Sequence, residues 1–213
     1  VASGSYCGNG LRLASFDGAG WTTNTIESGS NKGCDSAIII DGNDNAYIAY
    51  QDRSQSKLKF ATNKSGSWIT YAPETGGYGI AYPGYYSSLA MDDQGQFHIA
   101  HFDSLDANKD LWYTTGVPNG AWSTTVVDSS GDTGRNPSIA IDAAGDPHIV
   151  YRSWSGWKLK YATLNPSSPN WQVSTIENGG SVGEGTGESN SIIIVDGTIH
   201  VAYTDETSGV LRY

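Results

Sequence analysis

Hydrophobic and polar positions along this chain fall into a phrase of four short runs, repeated several times in the same order. The first run is apolar and closes on Asp: Ala37-Ile38-Ile39-Ile40-Asp41, Ser88-Leu89-Ala90-Met91-Asp92, Ser138-Ile139-Ala140-Ile141-Asp142 and Ser191-Ile192-Ile193-Ile194-Val195-Asp196. After a short polar turn, the second run alternates Tyr or His with small aliphatic residues: Tyr47-Ile48-Ala49-Tyr50, His98-Ile99-Ala100-His101, His148-Ile149-Val150-Tyr151 and His200-Val201-Ala202-Tyr203. The third reads Leu-x-aromatic, as in Leu58-Lys59-Phe60, Leu111-Trp112-Tyr113, Leu159-Lys160-Tyr161 and Leu211-Arg212-Tyr213. The fourth opens on Trp21, Trp68, Trp122 or Trp171, spaced about 50 residues apart, and continues in Thr, Val and Ile.

Run lengths, β-branched and aromatic content, and Gly, Asn, Asp and Ser between the runs predict four consecutive antiparallel strands per unit. No long segment has helical periodicity. The first strand, apolar throughout, is expected to be covered on both faces, and the outer strands half exposed. Such a unit cannot bury its apolar faces alone, so neighbours must stack on it. Four-stranded sheets repeated around an axis make a β-propeller. The expectation is one all-β domain over residues 1–213, with units at about 37–71, 88–127, 138–176 and 192–213 and an N-terminal hairpin at 11–26.

The strand count does not close. Leu11-Arg12-Leu13-Ala14 is a third-strand phrase, as is Leu211-Arg212-Tyr213, so there are five third strands and four of every other kind. Three arrangements remain open. They are a five-blade ring with an incomplete terminal blade, a four-blade ring with a surplus strand, and an open arc whose end strands pair with another chain. Closure within one chain is favoured because exposed strand edges are a liability.

The turn Ser15-Phe16-Asp17-Gly18-Ala19-Gly20-Trp21 is a near match, one residue short, to the Ser-x-Asp-x-Gly-x-x-Trp turn of Asp-box repeats. Thr62-Asn63-Lys64-Ser65-Gly66-Ser67-Trp68 keeps only the Gly and Trp. In blade pattern the chain thus resembles the secreted sialidase-like propellers with degenerate Asp-box repeats. That family's enzymes imply three arginines converging on a carboxylate, a Tyr–Glu nucleophile pair and an acidic proton donor. The five arginines here are Arg12, Arg53, Arg135, Arg152 and Arg212, and two of them lie in third strands. No catalytic residue is carried over.

Composition narrows the partners. Net charge is −10, with 12 Lys and Arg that form no cluster, which argues against nucleic acid and anionic membranes. No apolar stretch is long enough to span a bilayer. Beginning at Val1, the chain reads as a mature, processed form. Its two cysteines, Cys7 and Cys34, flank the first hairpin and are expected to form a disulfide, which implies an oxidising, extracellular or cell-surface setting. Asn63-Lys64-Ser65 is a glycosylation sequon whose use depends on the source.

Candidate chemistry follows from these placements. Tyr47, His98, His148 and His200 share one phase of the repeat but on different blades, and read as half-buried groups bonded to neighbouring turns. His101 reads as packing. Asp41, Asp92, Asp142 and Asp196 read as turn caps that accept backbone N–H bonds. Calcium would find oxygens at Asp44, Asp93 and Asp146, but no ligand spacing supports it, and no cofactor or metal is predicted. The Gly-rich connections 29–35, 76–86, 129–137 and 179–190 enter the innermost strands at one mouth of the axis. There Tyr78, Tyr82, Tyr85 and Tyr86 offer flat apolar faces with hydroxyls, and Arg135 with Glu184 or Glu188 offers polar contacts. Trp154 and Trp157 form a second aromatic candidate at the blade edge. The expected function is non-catalytic binding of a carbohydrate or an extracellular protein. The alternatives are a structural subunit joined through terminal strands, and a carbohydrate-active enzyme, a glycosidase or a His/Tyr polysaccharide lyase.

Overall fold

The computed structural model describes residues 7–73, 83–104, 109–165, 168, 170–179, 185–205 and 208–213. Its regular structure is entirely β. The first hairpin pairs β1 (Gly10–Phe16) with β2 (Trp21–Ser28). Three four-stranded antiparallel sheets follow in chain order. The first holds β3 (Lys32–Ile40), β4 (Ala46–Asp52), β5 (Lys57–Thr62) and β6 (Ile69–Tyr71). The second holds β7 (Tyr85–Met91), β8 (Phe97–Phe102), β9 (Leu111–Gly116) and β10 (Trp122–Asp128). The third holds β11 (Thr133–Ile141), β12 (Pro147–Ser153), β13 (Lys158–Thr163) and β14 (Gln172–Glu177). A three-stranded sheet of β15 (Thr186–Val195), β16 (Thr198–Asp205) and β17 (Val210–Arg212) is last. The inner strands β3, β7, β11 and β15 touch their successors in turn, which is a propeller arrangement. Each sheet is a blade. Among the described residues the first hairpin pairs with no other sheet.

Burial corrects one expectation. The second strands of the first two blades, not the first strands, are the fully covered ones: every residue of β4 and β8 is buried, as is all of β12 but one residue, while β16 of the last sheet is largely uncovered. Ile38 and Ile40 of β3 and Ile193 and Val195 of β15 are about half exposed. A second strand has a neighbouring blade on each face, whereas inner-strand side chains need the blade before or after to cover them. Leu89, Ile139 and Ile192 have such a neighbour and are buried. Between blades one and two, Tyr47, Phe60, Phe97 and the indole of Trp122 form one cluster, with Phe60–Trp122 centroids 5.3 Å apart. Trp171 repeats this on Tyr113 at 5.0 Å. So Trp122 and Trp171 each pack on the third-strand aromatic of the blade before.

Two further contacts recur at blade junctions, the first at four and the second at three among the described residues. A glycine of the inner strand sits against the third-strand Leu of the preceding blade: Gly33 on Leu11, Gly84 on Leu58, Gly134 on Leu111 and Gly187 on Leu159. An acid at the end of the fourth strand reaches the next blade's second-strand Tyr and third-strand cation. Glu27 accepts from Tyr50 and, at 2.6 Å, from Lys59 Nζ. Asp128 accepts from Tyr151 Oη at 2.7 Å and from Lys160. Glu177 accepts from Tyr203 and lies 3.6 Å from Arg212. Glu74 holds the same sequence position and lies outside the described residues. In that blade His101 replaces Tyr. It is fully buried, its Nδ1 accepts from Gly84 N at 3.3 Å, and its Nε2 meets Thr114 Oγ1 at 3.0 Å. Burial pushes its pKa down to about 3, so it is neutral.

Within blades, Asp41, Asp92 and Asp142 cap their turns through Oδ1, as Asp92 does for Gln94 N at 2.9 Å and Gln96 N at 2.8 Å. Oδ2 of Asp92 meets His98 Nε2 at 3.3 Å, and His98 Nδ1 meets Tyr113 Oη at 2.5 Å. Asp142, His148 and Tyr161 repeat this chain. The repeat histidines are therefore spokes of their own blades and do not converge.

Cys7 and Cys34 form a disulfide with Cα atoms 5.2 Å apart, tying the N-terminal segment to β3. Replacing both by Ser should cost about 3.5 kcal/mol, the loop-closure value for a span of this length. Thermal unfolding of wild type against the double variant checks this, and an unchanged Tm would show that the hairpin is held by Leu11 and Glu27 alone.

Candidate functional site

The site begins with a backbone irregularity that recurs four times. Gly33-Cys34-Asp35-Ser36, Gly84-Tyr85-Tyr86-Ser87, Gly134-Arg135-Asn136-Pro137 and Gly187-Glu188-Ser189-Asn190 occupy equivalent places at the start of the inner strands. In each, the pairing register with the second strand breaks, leaving a β-bulge. Asp35, Tyr86 and Asn136 lie at φ of 47°, 52° and 50°, in the left-handed region. Asp and Asn tolerate that region, but a tyrosine there is an outlier of the kind that clusters at ligand sites.

These segments are a correction to the sequence reading. Tyr85, Tyr86 and Arg135 belong to bulged strand ends, not to loops. Glycine and left-handed polar residues carry the same local signature in a bulge as in a turn. The four bulges converge on one shallow cavity of about 370 Å³, lined by Asp35, Ser36, Tyr86, Ser87, Asn136 and Pro137, with Glu188 to Asn190 on the fourth side. Its floor is braced across blades: Asn136 donates to Glu188 O, and Asn190 Nδ2 donates to Asn136 O at 2.8 Å. The same side chain's Oδ1 is buried with no hydrogen-bond partner among the described residues.

Near the bulged strand ends, arginines and aromatic rings alternate. Arg53 lies 4.6 Å over Tyr85 and donates to Asp35 at 3.1 Å. Arg135 lies between Phe102 at 5.0 Å and Trp154 at 4.9 Å. Both its donors are held by Asp132 at 2.9 and 3.0 Å. Burial raises the Asp132 pKa, but Arg135 and Lys109 more than reverse this, so it stays ionised. Arg152 lies over Trp154 at 4.9 Å and Trp157 at 5.5 Å, and its guanidinium is 3.5 Å from Glu188. Cation–π contacts of this kind hold rings at fixed tilt. Trp154 and Trp157, read from sequence as a separate blade-edge pair, do not line the cavity but stack with Arg135 and Arg152, and Arg152 in turn reaches Glu188 at its edge. Trp154 and Tyr86 remain 42% and 38% exposed.

Of the tyrosines proposed from sequence, Tyr86 lines the cavity, Tyr85 does not and lies under Arg53, and Tyr78 and Tyr82 lie outside the described residues, as does Glu184. Asp35, Asn136, Asn190, Arg53, Phe102 and Arg152 were not singled out. The recurring Gly-x-polar-Ser or Gly-x-polar-Pro step at the start of the inner strands was a usable signal for Asp35 and Asn136, and its Gly187 counterpart for Asn190. No local signal marks Phe102 or Arg152, which reach the site only through the stacking of neighbouring blades. Among the described residues no three His, Cys, Asp or Glu side chains converge as a metal site requires, and no helix is long and apolar enough to cross a membrane.

The sequence matches no protein-family model and no curated protein. Solved structures do resemble the fold. An exo-β-1,3-galactanase from Phanerochaete chrysosporium with β-1,3-galactotriose aligns at TM-score 0.57 and 14% identity, covering 92% of this chain and 48% of that one. A protein of unknown function from Dyadobacter fermentans aligns at 0.60 and 12%, covering 88% and 62%. A polysaccharide lyase, an ulvan lyase, aligns at 0.54 and 14%, covering 77% and 43%. The chain spans between about two fifths and two thirds of these proteins' lengths. At these identities the likeness is one of fold.

Proposed function

We propose that this chain is a secreted carbohydrate-binding propeller that takes a neutral saccharide in the axial cavity. The observation that carries this reading is the Tyr86 ring, held in a left-handed conformation at a cavity built from the bulges of all four inner strands. Tyr86 and Trp154 supply exposed ring faces for sugar C–H groups, and Asn190 Oδ1 supplies an acceptor for a hydroxyl. The cations at the mouth face carboxylates, Arg53 with Asp35, Arg135 with Asp132 and Arg152 with Glu188, which favours an uncharged sugar over a uronate or sulfate. The disulfide suits an extracellular setting. The structural neighbours, a galactanase and an ulvan lyase among them, lend support to a glycan partner. The sialidase-like reading rests on the Asp17 turn alone, whose Oδ1 accepts from Ala19 N and Gly20 N.

A glycan array followed by calorimetry tests this. Neutral oligosaccharides are expected to bind, and Tyr86→Gly is expected to weaken them at least about tenfold, the scale of one lost ring contact. The same change relieves the backbone strain, so Tm should stay within a few degrees. Retained affinity in Tyr86→Gly, or binding confined to sulfated and uronate glycans, would overturn the reading.

A second reading, glycoside cleavage, is favoured by one observation: Asp35 and Glu188 enter the same cavity from the first and last inner strands. Release of reducing ends that disappears in Asp35→Asn and Glu188→Gln would establish it; binding without turnover would leave the lectin-like role.

A further inference from the structure

A second cavity lies at the end of the blades opposite the bulges. β3 begins at the axial cavity with Asp35 and Ser36, and Asp41, just past its end, lines a cleft between the first two blades. At a strand rise of about 3.3 Å per residue the two sites stand roughly 20 Å apart. The cleft holds about 560 Å³, more than the axial cavity. Its floor is aromatic. Tyr47 of the first blade and Phe97 of the second are both buried there, with ring centroids 4.6 Å apart. One apolar wall is Ile69 and Tyr71 of β6, and the other is Met91 with Val117. Ile69 and Val117 are 38% and 39% exposed, so part of each wall is left to water.

Two hairpin tips form the mouth. Lys64 and Ser65 lie on the tip between β5 and β6, which Gly66 N closes by donating to Asn63 O at 2.8 Å. Asn119 lies on the tip between β9 and β10, closed by Gly120 N donating to Val117 O at 3.0 Å. Asn119 is left-handed, at φ of 64°, and its Oδ1 accepts from Tyr71 Oη at 3.0 Å, a bond that spans the two blades. That bond orients the amide and leaves its nitrogen to donate to a ligand. Gln94, exposed on the turn between β7 and β8, brings a second amide to the mouth.

The charged groups narrow the ligand. Asp41 is already filled: Oδ1 accepts from Asn43 N and Asn45 N, and Oδ2 from Asn45 Nδ2 and Tyr47 Oη, all within 3.0 Å. It has no lone pair left to hold a cation. Lys64 is the one cation in the lining, and an ammonium on an exposed tip stays hydrated and holds an anion weakly. What remains is amides and hydroxyls around apolar and aromatic walls, which suits the hydroxyls and C–H faces of an uncharged sugar. We propose that the cleft between the first two blades is a second saccharide site, in which the Asn119 and Gln94 amides bond the hydroxyls of a neutral sugar and the β6 wall packs against its ring. It stands independently of the axial site. With both sites filled, one chain bridges two glycans.

Amide NMR of the isotope-labelled full chain tests this, with the methyl glycosides of glucose, galactose, mannose and xylose as probes and glucuronate for comparison. The neutral glycosides are expected to shift the amides of Lys64, Ser65, Gln94, Gly95 and Asn119. Asn119→Gly keeps the turn, because glycine takes a left-handed φ readily, and should weaken this response about fivefold, the scale of one hydrogen bond. Adding Gln94→Ala should bring the loss to more than about tenfold. Tyr86→Gly, at the other cavity, should leave the cleft response unchanged. Shifts confined to residues 35–36 and 86–87 would overturn the cleft site and leave the axial reading standing, whereas shifts at the cleft alone would support it against the axial one. A response to glucuronate only, cleft shifts that the double variant leaves intact, or no shift at either site would also overturn it.

Discussion

Gly134→Ala is expected to destabilise the protein by more than about 3 kcal/mol, the range in which single changes are diagnostic of a named steric mechanism. A Cβ at this position would stand 2.6 Å from Leu111 Cα and equally near its amide nitrogen. These are backbone atoms of the preceding blade, and they cannot swing aside as a side-chain tip can. The residue also lies at φ of 96°, which an L side chain rarely adopts. Relief requires the two blades to separate, which opens the junction where Leu111, Val127 and Ile139 are buried together. Gly95→Ala is the control. Its φ of 77° is similarly positive, yet a Cβ there meets nothing within 4 Å, so only the conformational penalty of about 1 kcal/mol applies. Urea unfolding of the two variants should show a much lower midpoint for Gly134→Ala at unchanged slope. Equal midpoints would mean that the blades are not in close contact at this glycine.

Asp128→Ala is expected to cost about 3–5 kcal/mol, the penalty for removing one partner of a buried ion pair. Asp128 receives Tyr151 Oη at 2.7 Å, Ser130 Oγ at 2.6 Å, Ser130 N at 3.0 Å and the Lys160 ammonium. Its loss leaves a cation with 11% side-chain exposure and a buried phenol without their acceptor. Lys160→Met in the same background should recover part of the loss, because the stranded charge is then gone. The junction also sets the acid limit. Burial raises the pKa of Asp128 and of Glu27, but Lys160, Ser130 and Tyr151 pull the first below its ordinary value, and Lys32, Lys59 and Tyr50 pull the second down to about 2. Both folded pKa values are depressed, so the stabilisation is complete above the unfolded value, 4.5 for Glu27, and is lost as pH falls through about 2. Stability of the wild type should therefore decline below about pH 4.5, and the decline should be shallower in Asp128→Ala. An acid profile that is identical in the two proteins would remove this carboxylate from the account.

Much of the scaffold was legible because β periodicity and turn chemistry are local properties. The apolar run ending in Asp predicted the inner strand and, at Asp41, Asp92 and Asp142, the cap on its turn, and Leu-x-aromatic marked the third strands β5, β9, β13 and β17. The Cys7–Cys34 bridge followed from two cysteines flanking one hairpin. The junction acids Glu27, Asp128 and Glu177 were written in the sequence too, six residues after Trp21, Trp122 and Trp171, but nothing local says that such an acid serves the next blade. The start of each inner strand was misplaced for the opposite reason. Gly33, Gly84, Gly134 and Gly187 carry a turn-like local signal whether the chain turns or merely bulges, and only pairing with the second strand distinguishes the two.

By itself the sequence determined the repeating four-strand unit, the order of strands within it and the roles of its turn-capping aspartates, because each depends on side chains a few residues apart. Only the tertiary structure decided that Tyr86, Asn136, Asp35 and Asn190 share a cavity, and that Arg135 stacks between Phe102 and Trp154. These are relations between blades about 50 residues apart in the chain. Nothing in a local run of residues encodes the angle at which one sheet meets the next.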